Sequence, residues 1–147
     1  MSSWNDIANR VAEDVPEPCL TPEGTWRLRV TTAKLIPPKG EGSGQALYGL
    51  KPVEPQEDVD PGASEAYFES EDDTPVWAKF WLGGGSRDEH KHLMFVRNKL
   101  GVNTTSRTAK EYVAASIGME VIATVSHSVP QEEGDLPYVN VSKFVAV

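Results

Sequence analysis

Hydrophobic and polar residues alternate along five stretches of the chain, with the period of two that a half-buried β-strand requires. The clearest stretch is Gly24 to Pro37, where Trp26, Leu28 and Val30 alternate with polar side chains. The same pattern, weaker in places, predicts four further strands: Gln45 to Val53, Pro75 to Leu82, Met119 to His127, and Leu136 to Val147. The chain is therefore predicted to be mainly β.

Two helices are predicted between the third and fourth strands. Ser86 and Glu89 have the spacing of a capping box, which indicates the start of a helix that ends at Gly101. The apolar stripe of this helix comprises Leu93, Val96 and Leu100. Thr108 and Glu111 repeat the box and predict a second, short helix. The segment between strands three and four is therefore expected to be helical.

The predicted order is three strands, a helical segment and two more strands. This is the order of the OB-fold, a five-stranded Greek-key barrel, although other small barrels share it. We expect residues 24–147 to form this domain. Residues 1–23 are interpreted as an N-terminal acidic arm with a short helix over residues 4–12. The apolar residues of that helix share one face, which we expect to pack on the body: Trp4, Ile7, Ala8 and Val11.

Charge is distributed unevenly along the 147 residues, whose net charge is −8. Residues 52–78 contain nine acids and no Lys or Arg, residues 1–23 have a balance of −4, and the rest is +5. The acidic stretch 54–74 has little periodicity and is expected to be a long mobile loop. The net charge alone argues against nucleic-acid binding, but a mildly basic body with two acidic appendages is compatible with it.

The third strand contains the best candidate binding chemistry. Val76, Ala78, Phe80 and Leu82 form one face, which is suited to a core. The other face consists of Trp77, Lys79 and Trp81. Bases stack on exposed aromatic rings regardless of sequence, while nearby cations hold the phosphates. This strand therefore predicts a site for single-stranded nucleic acid, unless its two faces are reversed or both are covered.

Other candidate binding residues lie on the first and last strands. Arg27 and Arg29 share the outward face of the first strand, and Lys34 lies further along it. Tyr138 begins the last strand and Lys143 lies within it. Such strands line one groove in an OB barrel. Each of these residues is weak evidence alone, because exposed cations on strands also serve solubility.

Five segments carry a resemblance to a known family: Gly24–Val30, Trp77–Leu82, Asn98–Val102, Gly118–Val125 and Tyr138–Phe144. Together they resemble the OB-fold single-stranded-DNA-binding proteins of tailed bacteriophages. The resemblance implies a protein that coats single-stranded DNA in phage replication or recombination, with RNA left open as a ligand. It implies no catalytic residues, and its binding residues would be the aromatic and basic side chains named above.

The familiar arrangement ends in a disordered acidic tail that recruits partners, whereas this chain ends in the predicted strand Val141–Val147. The acidic loop 54–73 is therefore a candidate for two roles. It would either recruit replication or recombination proteins, or shield the groove by mimicking the charge of nucleic acid. These two roles remain open at the level of sequence.

Other classes of function receive less support from the sequence. His90, His92, His127 and Cys19 lack zinc-site spacing, so we expect no metal and no cofactor. No activated nucleophile or ordered carboxylate pair indicates an enzyme. No apolar run approaches a membrane span and no secretory signal is evident, so a cytoplasmic protein is expected. The oligomeric state stays open, a homo-oligomer included.

The main alternative is a protein-interaction module. The same barrel would then bind a protein through Trp77 and Trp81, with the acidic segments engaging a basic replication or host protein as a DNA mimic. A structural virion component is a third possibility, for which nothing in the sequence is specific. The first two differ in their response to salt, because counterion release weakens nucleic-acid binding steeply.

Overall fold

A computed structural model describes residues 4–12, 19–40, 43–70, 75–130 and 135–147. The strands are β1 (Gly24–Ile36), β2 (Gln45–Pro55), β3 (Val76–Trp81), β4 (Glu120–Ser128) and β5 (Tyr138–Ala146). The helices are α1 (Trp4–Asn9), α2 (Pro61–Glu69), α3 (Ser86–Met94) and α4 (Ala109–Ala115), with a π-helical turn over Phe95–Lys99. The mainly β class and the five predicted strands are confirmed.

The strands form one five-stranded antiparallel open sheet with the order β3-β2-β1-β4-β5. The long β1 lies at its centre, paired with β2 on one side and β4 on the other. β3 and β5 are the two edges of the ladder. None of the helices in the described part of the chain is long and apolar enough to cross a membrane.

The core lies on one face of this sheet. Trp26, Leu28 and Val30 of β1 are at most 1% exposed, as the alternation predicts. Inward residues of the neighbouring strands and of the helical segment complete the core: Tyr48, Leu50, Val76, Ala78, Val96, Val113, Val121 and Val125. Because burial of apolar area is the main driving force of folding, this continuous face sets the register of the strands.

Bulges bend the central and final strands. β1 shifts register against β2 between Arg27 and Leu28, and again between Val30 and Thr32. A further shift in the β4–β5 ladder accompanies a positive φ of 54° at Lys143. An extra residue there reverses the alternation of β5. Phe144 consequently joins the partly buried Val139 and Val141 that pack against the core.

The predicted loop over residues 54–74 is wrong for residues 61–69, which form α2. Asp60 caps this helix by accepting a hydrogen bond from the backbone of Ala63, and Pro61 occupies its first turn. The helix packs on β1, where the rings of Tyr67 and Phe68 each lie 5.8 Å from that of Trp26 in edge-on contacts. Residues 61–69 of the acidic segment are therefore held by a tertiary contact.

The two predicted capping boxes have different outcomes. The box predicted at Thr108 and Glu111 is present. The Thr108 hydroxyl accepts a hydrogen bond from the backbone N–H of Glu111, and the Glu111 carboxylate accepts one from the backbone N–H of Thr108. The box predicted at Ser86 and Glu89 is wrong, because Gly85 is the N-cap and makes no side-chain bond. Instead, the Asp88 carboxylate accepts a hydrogen bond from the backbone N–H of Gly84, the residue before the N-cap.

The N-terminal helix also differs from expectation. α1 ends at Asn9, and its apolar face does not pack on the body. Trp4 is 76% exposed, and Ile7 and Val11 are at least half-exposed. Further along the chain, Thr21 is buried and its carbonyl contacts the ring of His127.

Candidate functional site

The predicted binding strand has the predicted faces. Val76 and Ala78 of β3 are buried, whereas Trp77 is 41% and Trp81 59% exposed. Lys79 lies between the two indoles and is also exposed. The possibility that the faces of this strand are reversed is therefore excluded. Two large apolar rings flank one cation on an accessible strand.

The residues of β2 that pair with β3 are the nearest cross-strand neighbours of these side chains. Trp77 faces Gly49 of β2, and a Cβ atom at Gly49 would lie 3.1 Å from a carbon of the indole ring. The absence of a side chain at Gly49 therefore allows the ring to lie close to the backbone. Lys79 faces Leu47, which in turn faces Lys34 of β1. Lys34 thus shares this face, two strands away.

The edge strands β3 and β5 line a single cleft of about 840 Å³. The exposed residues of β5 that line the cleft are Tyr138, Asn140, Ser142 and Lys143. Tyr138 is 57% exposed. The fold therefore brings together five of the predicted site residues: Trp77, Lys79, Trp81, Tyr138 and Lys143. These come from segments more than 50 residues apart in sequence.

An aromatic cluster forms the floor of the cleft. The rings of Phe80 and Phe95 lie 4.6 Å apart, and those of Phe95 and Phe144 lie 4.8 Å apart. Phe80 and Phe144 line the cleft directly. Because they come from β3 and β5 respectively, the cluster packs these two edges against each other. The two strands that border the cleft are therefore held together by a packed aromatic cluster.

A buried polar pair lies within this cluster. His92 is 1% exposed, and its Nε2 shares a hydrogen bond with the hydroxyl of Tyr48, which is also buried. Burial lowers the pKa of His92 to about 4 and raises that of Tyr48. His92 is therefore a neutral core residue at pH 7. The sequence did not predict this role.

The cleft is locally basic. In the part of the chain that the structure describes, its charged lining residues are Lys79, Lys91 and Lys143 and one acid, Asp88. One carboxylate oxygen of Asp88 accepts the backbone hydrogen bond of Gly84 at 2.8 Å. Among these residues, the three ammonium groups outnumber the single carboxylate, which already accepts a hydrogen bond. This lining therefore attracts anions, despite the negative charge of the whole chain.

Two predicted binding residues lie outside the cleft and have acidic partners. Arg27 forms an ion pair with Glu54 of β2 at 2.9 Å and lies 3.7 Å from Glu120 of β4. Arg29 forms an ion pair with Glu120 at 2.9 Å. These contacts join β1 to its two neighbours across the outer face of the sheet. Lys34 lines a different groove, which lies between the end of the β1–β2 hairpin and α4.

Sequence reasoning missed several lining residues: Lys91, Asn140 and Ser142. Lys91 gave no signal, because a lysine on a helix is usually only solvated. Asn140 and Ser142 alternate with Val139 and Val141, which is the only pattern that could have assigned them to the cleft wall. Their facing partner on β3 is evident only from the fold.

The described residues contain no group of three or more His, Cys, Asp or Glu side chains placed to hold a metal ion. The side chains of the cleft offer stacking, cationic and hydrogen-bonding contacts. Comparisons with protein-family models and with curated proteins find no match to this chain.

Proposed function

We propose that the protein binds single-stranded nucleic acid, with no dependence on base sequence, in the cleft between β3 and β5. The observation that carries the proposal is the pair of exposed indoles, Trp77 and Trp81, with Lys79 between them. Leaving two such rings in water is unfavourable without a ligand. Base stacking on an aromatic ring contributes about 1–3 kcal/mol per base, whichever base it is.

The spacing of the two indoles suits an extended single strand. Trp77 and Trp81 are four residues apart on one strand, a separation of about 13 Å. Each ring therefore receives its own base, while Lys79 lies beside the backbone that connects them. Lys143 and the hydroxyl and amide groups of Ser142 and Asn140 face the same backbone from β5. A paired duplex hides its base faces and cannot stack in this way.

The proposal includes an OB-fold barrel. Support comes from the strand order β3-β2-β1-β4-β5 and from the helical connection between β3 and β4. Further support comes from the packing of the edges through Phe80 and Phe144. An OB-fold closes these same two edges, and members of this class bind oligonucleotides on the barrel face. With the resemblance to phage proteins, this favours a role in phage DNA replication or recombination.

The test is a fluorescence-anisotropy titration of labelled ~30-nucleotide oligo-dT, at low and moderate salt, with wild type and Trp77→Ala/Trp81→Ala. We expect wild type to bind and the double variant to lose at least about 30-fold in affinity, the equivalent of one weak stacking contact at each ring. Trp4→Ala is the matched control, since this exposed indole lies outside the cleft.

Two further titrations separate the proposal from its alternatives. A duplex of equal length should bind more weakly than oligo-dT, and oligo-rU reports any preference between RNA and DNA. If folded wild type binds no oligonucleotide at low salt, the proposal is wrong. The interpretation of Trp77 and Trp81 as anchors for a protein partner would then replace it.

A further inference from the structure

A second concavity, which we call the hairpin groove, lies between the end of the β1–β2 hairpin and α4, and its volume is about 800 Å³. It adjoins the proposed binding cleft at the end of β3. Trp81 lines the cleft, and the next two residues of the chain, Leu82 and Gly83, line the hairpin groove. A ligand that leaves the cleft at its Trp81 end therefore meets the hairpin groove next.

The register of the sheet connects the two concavities. Trp81 of β3 pairs with Gln45 of β2, and Gln45 pairs with Ile36 of β1. Both partners line the hairpin groove. Residues directly opposite each other share one face of a sheet, so these two lie on the face that presents the indole. Two strand spacings separate β3 from β1, about 10 Å, which is less than the distance of about 13 Å along β3 between the two indoles.

Positive charge follows the same direction across the sheet. Lys79 faces Leu47, and Leu47 faces Lys34. Lys34 is exposed and lines the hairpin groove, as does the exposed Lys110 of α4. Among the lining residues that the structure describes, these two lysines are the charged ones and none is an acid. Cations therefore continue from the cleft to α4, which suits a chain of phosphates.

The remaining lining of the hairpin groove suits a base. Its wall is mainly apolar, with Leu35 37% exposed and Ala114 exposed, and apolar side chains pack against the faces of unstacked bases. The Oε1 atom of Gln45 is buried and has no hydrogen-bond partner among the described residues. Such an acceptor is unfavourable without a donor. The Watson–Crick edge of an unpaired base carries N–H donors.

We propose that the nucleic-acid strand bound in the cleft continues past Trp81, across β2, into the hairpin groove. There Lys34 and Lys110 contact its phosphates, and the apolar wall packs against a base. The inference rests on the function proposed above and extends its site as far as α4. The path runs along β3 and then crosses β2, so it bends sharply. A flexible single strand follows this bend, whereas duplex DNA is stiff over about 50 nm.

The test compares two lengths of labelled oligo-dT, about 5 and about 15 nucleotides, within the range of site sizes known for such domains. The shorter oligonucleotide covers the cleft, and the longer one also reaches the hairpin groove. We expect Lys34→Glu/Lys110→Glu to weaken binding of the longer oligonucleotide at least about tenfold at low salt. Its affinity for the shorter one should stay within about twofold of wild type, because the cleft is unchanged.

The matched control is Lys51→Glu/Lys99→Glu, which makes the same change of charge at two exposed lysines that line neither concavity. It should change the affinity for both lengths by the same small factor. Acetylation of lysines, read by mass spectrometry on the wild-type protein, locates the strand without any substitution. The longer oligonucleotide should protect Lys34 and Lys110, the shorter one should not, and Lys99 should stay reactive with both.

The outcomes separate this inference from the proposed function. If the shorter oligonucleotide binds while Lys34→Glu/Lys110→Glu binds the longer one as wild type does, the inference is wrong and the cleft remains the whole site. The hairpin groove would then be left to a protein ligand. Equal losses in the control variant, or Lys34 and Lys110 that stay reactive beneath the longer strand, would also overturn it. If neither length binds to wild type, both proposals are wrong.

Discussion

At the scale of single residues, the cleft depends on how its aromatic side chains are held. Trp77 rests on Gly49, where the lack of a Cβ atom leaves space for the ring against the backbone of β2. Phe80 contributes to the cleft floor from the alternate face of the same strand. Rings that are already positioned lose little conformational freedom when a base stacks on them, which favours binding.

Lys79 is predicted to supply a phosphate contact. Lys79→Glu should weaken oligo-dT binding at least about tenfold at low salt and reduce the salt slope by about 0.7, the value for one phosphate contact on a single strand. The matched control is Lys99→Glu, which makes the same change of charge in a separate concavity with Gly118 and Val147. Equal losses in both variants would mean that only the net charge matters.

His92 is predicted to make stability depend on pH. Its folded pKa of about 4 lies below the usual 6.5, so the unfolded chain binds the proton more readily between these values. Stability should therefore fall as the pH drops through this window, by about 2 kcal/mol between pH 7 and pH 5. Urea unfolding at the two pH values measures the loss.

Two variants assign this loss to the buried ring. His92→Gln retains a hydrogen-bonding side chain for Tyr48 but does not titrate, so its stability should change much less between pH 7 and pH 5. His90→Gln removes an exposed histidine two residues away and should behave as wild type. A loss of the same size in His92→Gln would contradict the account.

At the scale of elements, the acidic segment over residues 54–69 has a structural role. Asp58 accepts two hydrogen bonds from Thr25, one from its backbone N–H and one from its hydroxyl, both at 2.8 Å. Glu54 pairs with Arg27, and Asp60 caps α2. Three of the six acids described in this segment thus serve the fold. Among the acids that the structure describes here, Glu57, Glu65 and Glu69 are exposed and are the candidates for recruiting a partner.

Asp58→Asn should lower the thermal midpoint of unfolding at pH 7, because one oxygen acceptor of the Thr25 pair is replaced by a donor. The hydrogen bonds from Thr25 lower the pKa of Asp58 below 3.8, so its contribution is present above that value. The difference from wild type should vanish as the pH falls through the folded pKa. Glu57→Gln, one residue before, should leave the midpoint unchanged at both pH values.

The strands could be predicted from sequence because one face of each is buried. Trp26, Leu28 and Val30 on the inner face of β1 are almost fully buried, and the alternation in this half of the strand follows directly. α2 could not be predicted in this way, since it is ordered by Tyr67 and Phe68 packing on Trp26, some 40 residues earlier. A short helix with weak periodicity becomes visible only through such a distant contact.

The candidate site was likewise predictable where its pattern is local, and not where it depends on contacts between distant segments. The β3 half is a local pattern of Trp77, Lys79 and Trp81, and the sequence predicted it. Tyr138 and Lys143 were predicted singly, but their place opposite β3 depends on the order of strands across the whole sheet. The ion pairs of Arg27 and Arg29 with Glu54 and Glu120 also join distant segments, so their position outside the cleft was not evident from alternation.

At the scale of the whole molecule, charge is segregated. The chain has a net charge of −8, yet the described lining of the cleft contains three lysines and one acid. Because exposed charges are screened beyond about 8–10 Å at physiological salt, a bound strand responds mainly to the local lysines. Three phosphate contacts predict a slope of log affinity against log salt of about −2, shallow in comparison with strongly basic nucleic-acid binders.

The most direct test of the central claim is the quenching of intrinsic tryptophan fluorescence by oligo-dT. The chain has four tryptophans, of which Trp26 is buried and Trp4 lies outside the cleft. Stacking predicts quenching in wild type and in Trp4→Phe, and loss of that quenching in folded Trp77→Phe/Trp81→Phe. Quenching that persists undiminished in the double variant, or no quenching in wild type, would contradict base stacking in the cleft.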